Sequence, residues 1–324
     1  MNKHLYPKFE SINIELEQLN INLKRMVIAE HPILYAAAEQ LFSAGGKRIR
    51  PTIILIIAKL ISRTGKISAE QKRLAEITEI IHTASLVHDD IIDNCETRRG
   101  TETIHNVFSN KIAVLAGDFL FAQSSWYLAN LNNSNVVKII SKVITDFAEG
   151  EVKQSIKSFD YKISIEDYIE KSFYKTASLI ACSCKATTML NSNNKETQNN
   201  FYLYGKHIGL AFQIIDDILD IIGSTKILGK PAGSDIKNGN LTAPLIFALE
   251  EKPELKILIN NEFNNQDNIN EVIKIIKNTK GIQKAKDLAK EHIQVAIHTM
   301  YTRYSKKNIR DLLLVSYYIL DRIY

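Results

Sequence analysis

Apolar residues recur at every third or fourth position through most of this chain, and that regularity restricts the fold more than anything else in it. The series Leu74, Ile77, Ile81, Ala84, Val87, Ile91 has the spacing that lines up one face of an α-helix. Segments 104–129, 136–158, 165–190, 200–222, 281–304 and 307–322 read the same way, and period-2 alternation is nearly absent. With only 13 Gly and 6 Pro in 324 residues, there is little of the punctuation that a strand-and-turn architecture needs. Breaks fall at Gly45-Gly46, Gly100, Asn132-Asn133, Asn191–Asn194 and the Gly223–Gly239 loop. No repeat or linker divides the chain. The expected fold is all-α, one large helical bundle forming a single domain over 1–324.

Composition removes several functions. The net charge of +5 is scattered, with no basic block or interleaved aromatics of the kind that bind nucleic acid. Cys95, Cys182 and Cys184 are an odd set without zinc spacing, which points to a reducing compartment. On a helix Cys182 and Cys184 lie ~200° apart and read as packing residues. Glu10, Glu15 and Glu17 stand where a secretory or transit leader would be apolar or acid-poor, and no apolar run is long enough to span a membrane. Abundant Asn, Ile and Lys suggest an A/T-rich bacterial or organellar genome. The expected location is a bacterial cytoplasm or the stroma of a plastid that encodes the chain.

Chemistry enters at Asp89-Asp90-Ile91-Ile92-Asp93. Helical residues advance ~100° each, so Asp89 and Asp93 share a face ~40° apart, with His82, Ser85 and Thr78 on it. The pattern returns at Asp216-Asp217-Ile218-Leu219-Asp220, where Asp216 and Asp220 share a face with Gln213. Clustered carboxylates among isoleucines and leucines repel and are costly to desolvate, unless cations sit between them. Mg²⁺ suits the position, because one or two carboxylates plus substrate phosphates usually hold it.

The basic residues fit an anionic partner. Gly45-Gly46-Lys47-Arg48-Ile49-Arg50-Pro51 ends one helix and starts another, placing Lys47 and Arg50 at a helix entrance that already favours anions. Arg98 and Arg99 follow the first aspartate cluster. Lys175-Thr176, Lys230 and Lys237 are further candidates.

At these strings the chain resembles the trans-isoprenyl diphosphate synthase (polyprenyl synthetase) family. The resemblance also covers HTASLVHDDIIDNCETRRG from His82, Gly117–Leu120, Gly150-Glu151 with Gln154, Lys175–Ala177, GLAFQIIDDILD from Gly209 and GKPAGSDIKNGNLTAP from Gly229. It implies about a dozen helices around a deep central cavity, usually as a homodimer, and head-to-tail condensation of isopentenyl diphosphate with an allylic diphosphate. By that resemblance Asp89, Asp93, Asp216 and Asp220 would hold two or three Mg²⁺ ions. Arg98, Lys175 and Lys230 would bind the allylic diphosphate. Lys47, Arg50, His82 and Arg99 would bind that of isopentenyl diphosphate, and Thr176 and Gln213 would lie beside the developing cation.

Product length is expected to be set along the helix below Asp89. In the resembling family, bulky aromatics at the places of Ala84 and Ser85 stop growth early. Small residues here leave that space unfilled, and the expectation is an all-trans product of about forty to fifty carbons. Phe119, Phe121, Trp126, Phe201 and Phe212 read mainly as core aromatics, any of which could form a deeper floor. The alternatives are a twenty-carbon synthase, a non-catalytic partner subunit of a heteromeric synthase, a class I terpene cyclase and a metal-dependent phosphohydrolase. A cyclase would carry a different second metal motif and lack the Gly-Gly-Lys-Arg string. A hydrolase using His88-Asp89 would leave the second cluster without a role.

Overall fold

A computed structural model describes residues 9–43, 45–98, 100–192, 194–223, 233–262 and 266–322. The helices are α1 (Asn13–Met26), α2 (Pro32–Ser43), α3 (Ile49–Ile61), α4 (Ala69–Ile92), α5 (Ile104–Val107), α6 (Asn110–Ala129), α7 (Ser134–Ile156) and α8 (Ile165–Ser172). After a wide π turn, Phe173–Ala177, come α9 (Ser178–Met189), α10 (Lys195–Ile222), α11 (Ser234–Lys237), α12 (Ala243–Glu251), α13 (Leu255–Asn260), α14 (Gln266–Lys277), α15 (Gly281–Tyr301) and α16 (Arg310–Asp321). The strands among the described residues are Thr97–Arg98 and Thr101–Glu102, paired antiparallel.

The asparagine breaks read from sequence are helix caps. Asn133 and Asn194 accept the backbone N–H groups of Val136 and Thr197 and so start α7 and α10, satisfying donors that a helix leaves unpaired. Ser68 and Gln71 form a reciprocal capping box on α4. Segment 104–129 departs from the single helix expected: Ser109 caps a new start by accepting from Ile112, dividing α5 from α6. The reading of 165–190 as one helix also missed the π turn within it.

One apolar core runs from Phe9 in the N-terminal segment to Ile319 in α16. α4 and α10 are its two long struts. α4 packs on α6, α3 and α1, and α10 on α9, α15 and the π turn. Gly205 and Gly209, a turn apart on α10, allow close approach to α9 and the π turn. A Cβ on Gly209 would stand 2.6 Å from the Ala177 Cα, and one on Gly205 2.8 Å from the Ala181 Cα.

Where α10 meets α15, the Nδ1 atoms of His207 and His292 lie 2.9 Å apart, one donating to the other. Burial, then the neighbouring His207 and Lys206, holds His292 down at about 4, and burial also lowers His207. Unfolded, a histidine takes its proton near 6.5; folded, His292 resists until about 4. The unfolded chain therefore binds more protons between those values, and stability falls as pH drops through that window. We expect the melting temperature to fall from pH 6.5 towards 4 and the His292→Gln variant to show a shallower acid limb, as measured by circular dichroism melts across pH.

Candidate active site

The two aspartate clusters end the two long helices. Asp89, in the last turn of α4, has its carboxyl pushed up to about 6 by burial, with Glu151 and Asp93 adding repulsion against the pull of Lys175 and Arg98. Asp93 is the C-cap of α4 and accepts from the Asn238 side-chain amide at 3.2 Å. Asp90 turns the other way. It is buried and grips Arg98 at 2.5–2.6 Å, so this arginine is anchored beside the cluster, and its charge still acts on Asp89.

In the second cluster each carboxylate has a separate environment. Asp217 is buried and accepts from the Tyr168 hydroxyl at 2.5 Å and the Gln213 amide at 2.7 Å. Burial first, and then the charge of Asp235, pushes it up to about 7. The Gln213 carbonyl accepts from the Thr176 hydroxyl at 2.5 Å. Tyr168, Asp217, Gln213 and Thr176 thus form one chain of hydrogen bonds, each fixing the next in a low-dielectric setting. Asp216 is part-exposed and pairs with Arg322 at 2.6 Å. Asp220 is buried, and its oxygens accept from the Ser234 hydroxyl and the Asp235 amide, closing the start of α11. Because Asn238 directly follows α11 and reaches Asp93, this short helix bridges the two clusters.

Lys175, carried by the π turn, contacts Glu151 and Gln154 at 3.4 Å. The charges of Asp89, Glu151, Asp93 and Asp235 together hold its ammonium above the ordinary value despite burial. One cation therefore serves carboxylates of the first cluster, of α7 and of α11. Lys171, one turn earlier, is lowered by burial while Asp217 and Asp235 oppose this.

The basic string at 45–51 divides its labour. Gly45 takes a positive φ of 73°, open to glycine without strain, and Arg48 sits in the left-handed region at the start of α3. Arg48 is structural, buried in an ion pair with Glu79 at 2.6 Å and bonded to the Phe42 carbonyl. Lys47 instead lies over the Tyr318 ring at 5.5 Å and Arg50 over Phe212 at 5.9 Å. Arg322, from the C-terminal end of α16, stacks on Phe212 at 4.6 Å. Two guanidiniums thus share an aromatic ring one turn before Asp216, so Phe212 lies at the mouth of the site and forms no deep floor.

His82 and Ser85 are half-buried on α4, with the Ser85 hydroxyl donating to the His82 carbonyl at 2.9 Å, while Ala84 is wholly buried. Phe201 is buried in the core, and Trp126 is 61% exposed, which removes it as a floor. Lys237 is exposed at the end of α11. Arg99 and Lys230 lie outside the described residues.

Sequence reasoning missed Tyr168, Lys171 and Arg322 as members of this neighbourhood, and gave Glu151 and Asn238, which stand in the matching strings, no role. Lys171 and Lys175 are four apart, a spacing that would have shown a shared helical face. Tyr168 and Arg322 carry no local signal, since only tertiary packing brings them to Asp217 and Asp216.

Comparison with known proteins agrees with this architecture. The "Prenyl transferase" of Porphyra purpurea is 58% identical over 97% of this chain and 98% of its own length. The chloroplastic "Solanesyl diphosphate synthase 2" of Arabidopsis thaliana is 48% identical over 90% of this chain and 71% of its own. The crystal structure of heptaprenyl diphosphate synthase from Staphylococcus aureus superposes with a TM-score of 0.91 at 30% identity, covering 96% of this chain and 98% of that one. The family profile described as "Polyprenyl synthetase" matches residues 31–276, and the chain belongs to that family.

Proposed function

We propose that the chain condenses isopentenyl diphosphate with an allylic prenyl diphosphate, head-to-tail, to give an all-trans polyprenyl diphosphate of about forty to fifty carbons, a length that the small Ala84 and Ser85 below Asp89 support. The observation that carries this reading is that the two clusters meet: the short helix α11, whose start Asp220 holds through the Asp235 amide, ends at Asn238, which reaches Asp93 at 3.2 Å, with Lys175 beside Glu151 at 3.4 Å. Names such as solanesyl diphosphate synthase among its relatives support a long product for a quinone tail or a similar anchor.

Polyprenyl synthetases depend on Mg²⁺ in general, and the donors here are the carboxylate oxygens that such an ion takes, although among the described residues no three acidic or histidine side chains converge on one point. Asp89 is a desolvated carboxylate crowded by Glu151 and Asp93, the situation that a divalent cation relieves. Asp89, Asp93 and Asp216 would hold the metal, and Asp220 would join if Ser234 and Asp235 released it. Held there, Mg²⁺ would supply positive charge against that of a departing diphosphate and so ease its loss.

The remaining roles belong to the chain itself. Lys175 and Arg98, with Lys230, bind the allylic diphosphate, and Lys171 lies close by. Lys47, Arg50 and His82, with Arg99, hold the diphosphate of the second substrate, and Arg322 adds a further cation there. Thr176 donates its proton to Gln213, which leaves its oxygen lone pairs to face a developing allylic cation. Asp217, by accepting from the Gln213 amide, holds the Gln213 carbonyl in that orientation. The proton lost after condensation goes to the released diphosphate, so no side-chain nucleophile is required.

Among the described residues, α6 is long and apolar enough to cross a membrane by length and composition, yet one of its faces packs on α4 and α2. Its outer face shows Val114, Leu115 and Trp126, and we assign it to a homodimer contact. We place the protein in a plastid stroma or a bacterial cytoplasm and regard the whole chain as one functional domain.

The test is incubation with farnesyl diphosphate, labelled isopentenyl diphosphate and Mg²⁺, followed by chain-length analysis. Linear long-chain diphosphates, abolished by chelation, are expected. Cyclic hydrocarbons or free phosphate would sink the reading. Ser85→Phe should shorten the product, and an unchanged length would remove Ser85 as a determinant.

A further inference from the structure

Residues 280–310 contain eight lysines and arginines against Asp287 and Glu291. This stretch alone carries +6, more than the +5 of the whole chain, so the positive charge is concentrated here, which corrects the expectation of scattered charge. It forms α15 and the tip of the α15–α16 hairpin. Arg303 at the tip pairs with Glu196 at 3.4 Å, and Lys284 pairs with Glu250. Lys290, Lys306, Lys307 and Arg310 are exposed and enter no ion pair among the described residues.

A groove of about 610 Å³ runs between the two helices, lined by Ile293, Ile297, Tyr301, Tyr317 and Leu320 with Lys290 among its residues. Tyr301 and Tyr317 remain nearly half exposed, and Leu314 shows on the outer face of α16. Apolar surface with half-exposed tyrosines, Lys290 in its lining and exposed cations at the hairpin tip matches a bilayer interface, where Tyr sits at headgroup depth and Lys or Arg meets phosphate.

The position adds a second argument. Glu196 opens α10, and Asp216 lies 20 residues further along, about 30 Å at 1.5 Å per residue. The basic tip therefore lies at the opposite end of α10 from its aspartates, the end towards which the proposed product would grow. α15 packs on α10, α12, α14 and α16, whereas α6 packs on α4, α2, α5 and α7. A dimer through α6 leaves the hairpin outward.

We propose that the outer face of the α15–α16 hairpin docks on the surface of an anionic phospholipid bilayer. The purpose, delivery of a water-insoluble product, rests on the functional reading above. The docking itself rests on charge and apolar surface alone.

Co-sedimentation of the full chain with phosphatidylcholine vesicles, with and without phosphatidylglycerol, at low and high salt tests it. Binding is expected only with the anionic lipid and should weaken at high salt. Lys306→Ala with Lys307→Ala should weaken partitioning about thirtyfold, corresponding to about 1 kcal/mol per lysine near such a surface. Tyr317→Ser should weaken the binding that survives salt. Turnover of soluble farnesyl diphosphate should be unchanged in all of these variants, which keeps this result separate from the prenyl-transfer assay. Equal binding to neutral vesicles, no binding, or variants that bind as the parent does would overturn the proposal. So would sedimentation velocity showing that the variants separate two copies, which would make this face a protein contact.

Discussion

Asp89→Ala is expected to lower kcat/KM for prenyl transfer by about a thousandfold or more, corresponding to about 4 kcal/mol of lost transition-state stabilisation. Its effect on folding should run the other way. Unfolded, an aspartate loses its proton near 3.8, whereas folded Asp89 keeps it until about 6. The folded chain therefore binds more protons between those values, and ionisation of Asp89 costs stability as pH rises through that range. Removing the carboxyl also relieves Glu151 and Asp93. In the presence of EDTA at neutral pH, the variant should melt at the parent temperature or above it. Steady-state kinetics and calorimetry on the same sample decide the matter. Retained turnover, or lost turnover accompanied by a collapse of the melting temperature, would reduce Asp89 to a packing residue.

Gly209→Ala should destabilise the bundle by about 2 to 3 kcal/mol, in the upper part of the range for forcing a methyl into a packed contact. The added Cβ would lie 2.6 Å from the Ala177 Cα and 2.7 Å from its Cβ. Backbone is the obstacle here, so no rotamer change relieves the clash. α10 and the π turn must move apart. Ala177 follows Thr176, and Gln213 is one turn from Gly209, so this separation stretches the 2.5 Å Thr176–Gln213 bond. Urea unfolding should show a lower midpoint at unchanged m, and kcat should drop in the folded fraction. An unshifted midpoint would mean that the two helices have slack.

Much of this was legible in the residues. The all-α fold followed from helical spacing, and the asparagine breaks mark helix starts because Asn side chains cap them. Asp89 and Asp216 were identifiable because i,i+4 carboxylates inside apolar helices require an explanation. The separate duties of Asp90, Asp217 and Arg48 were not legible. Each stands beside a chemically identical or similar neighbour, and only burial against Arg98, Tyr168 or Glu79 distinguishes it. Arg322 was invisible for a different reason: it lies 106 positions from Asp216 in the chain, and the path of α16 alone unites them.

The π turn at Phe173–Ala177 has one consequence for how this protein could change. Such a turn holds one residue more than a regular helix accommodates. A deletion of Phe173 or Tyr174 would let α8 and α9 merge into an ordinary helix, removing the irregularity. The same deletion would swing Lys175 and Thr176 by roughly a quarter-turn about the axis, away from the aspartates. A shorter sequence could therefore fold as well or better and do nothing, because here the chemistry is written as an interruption in the winding.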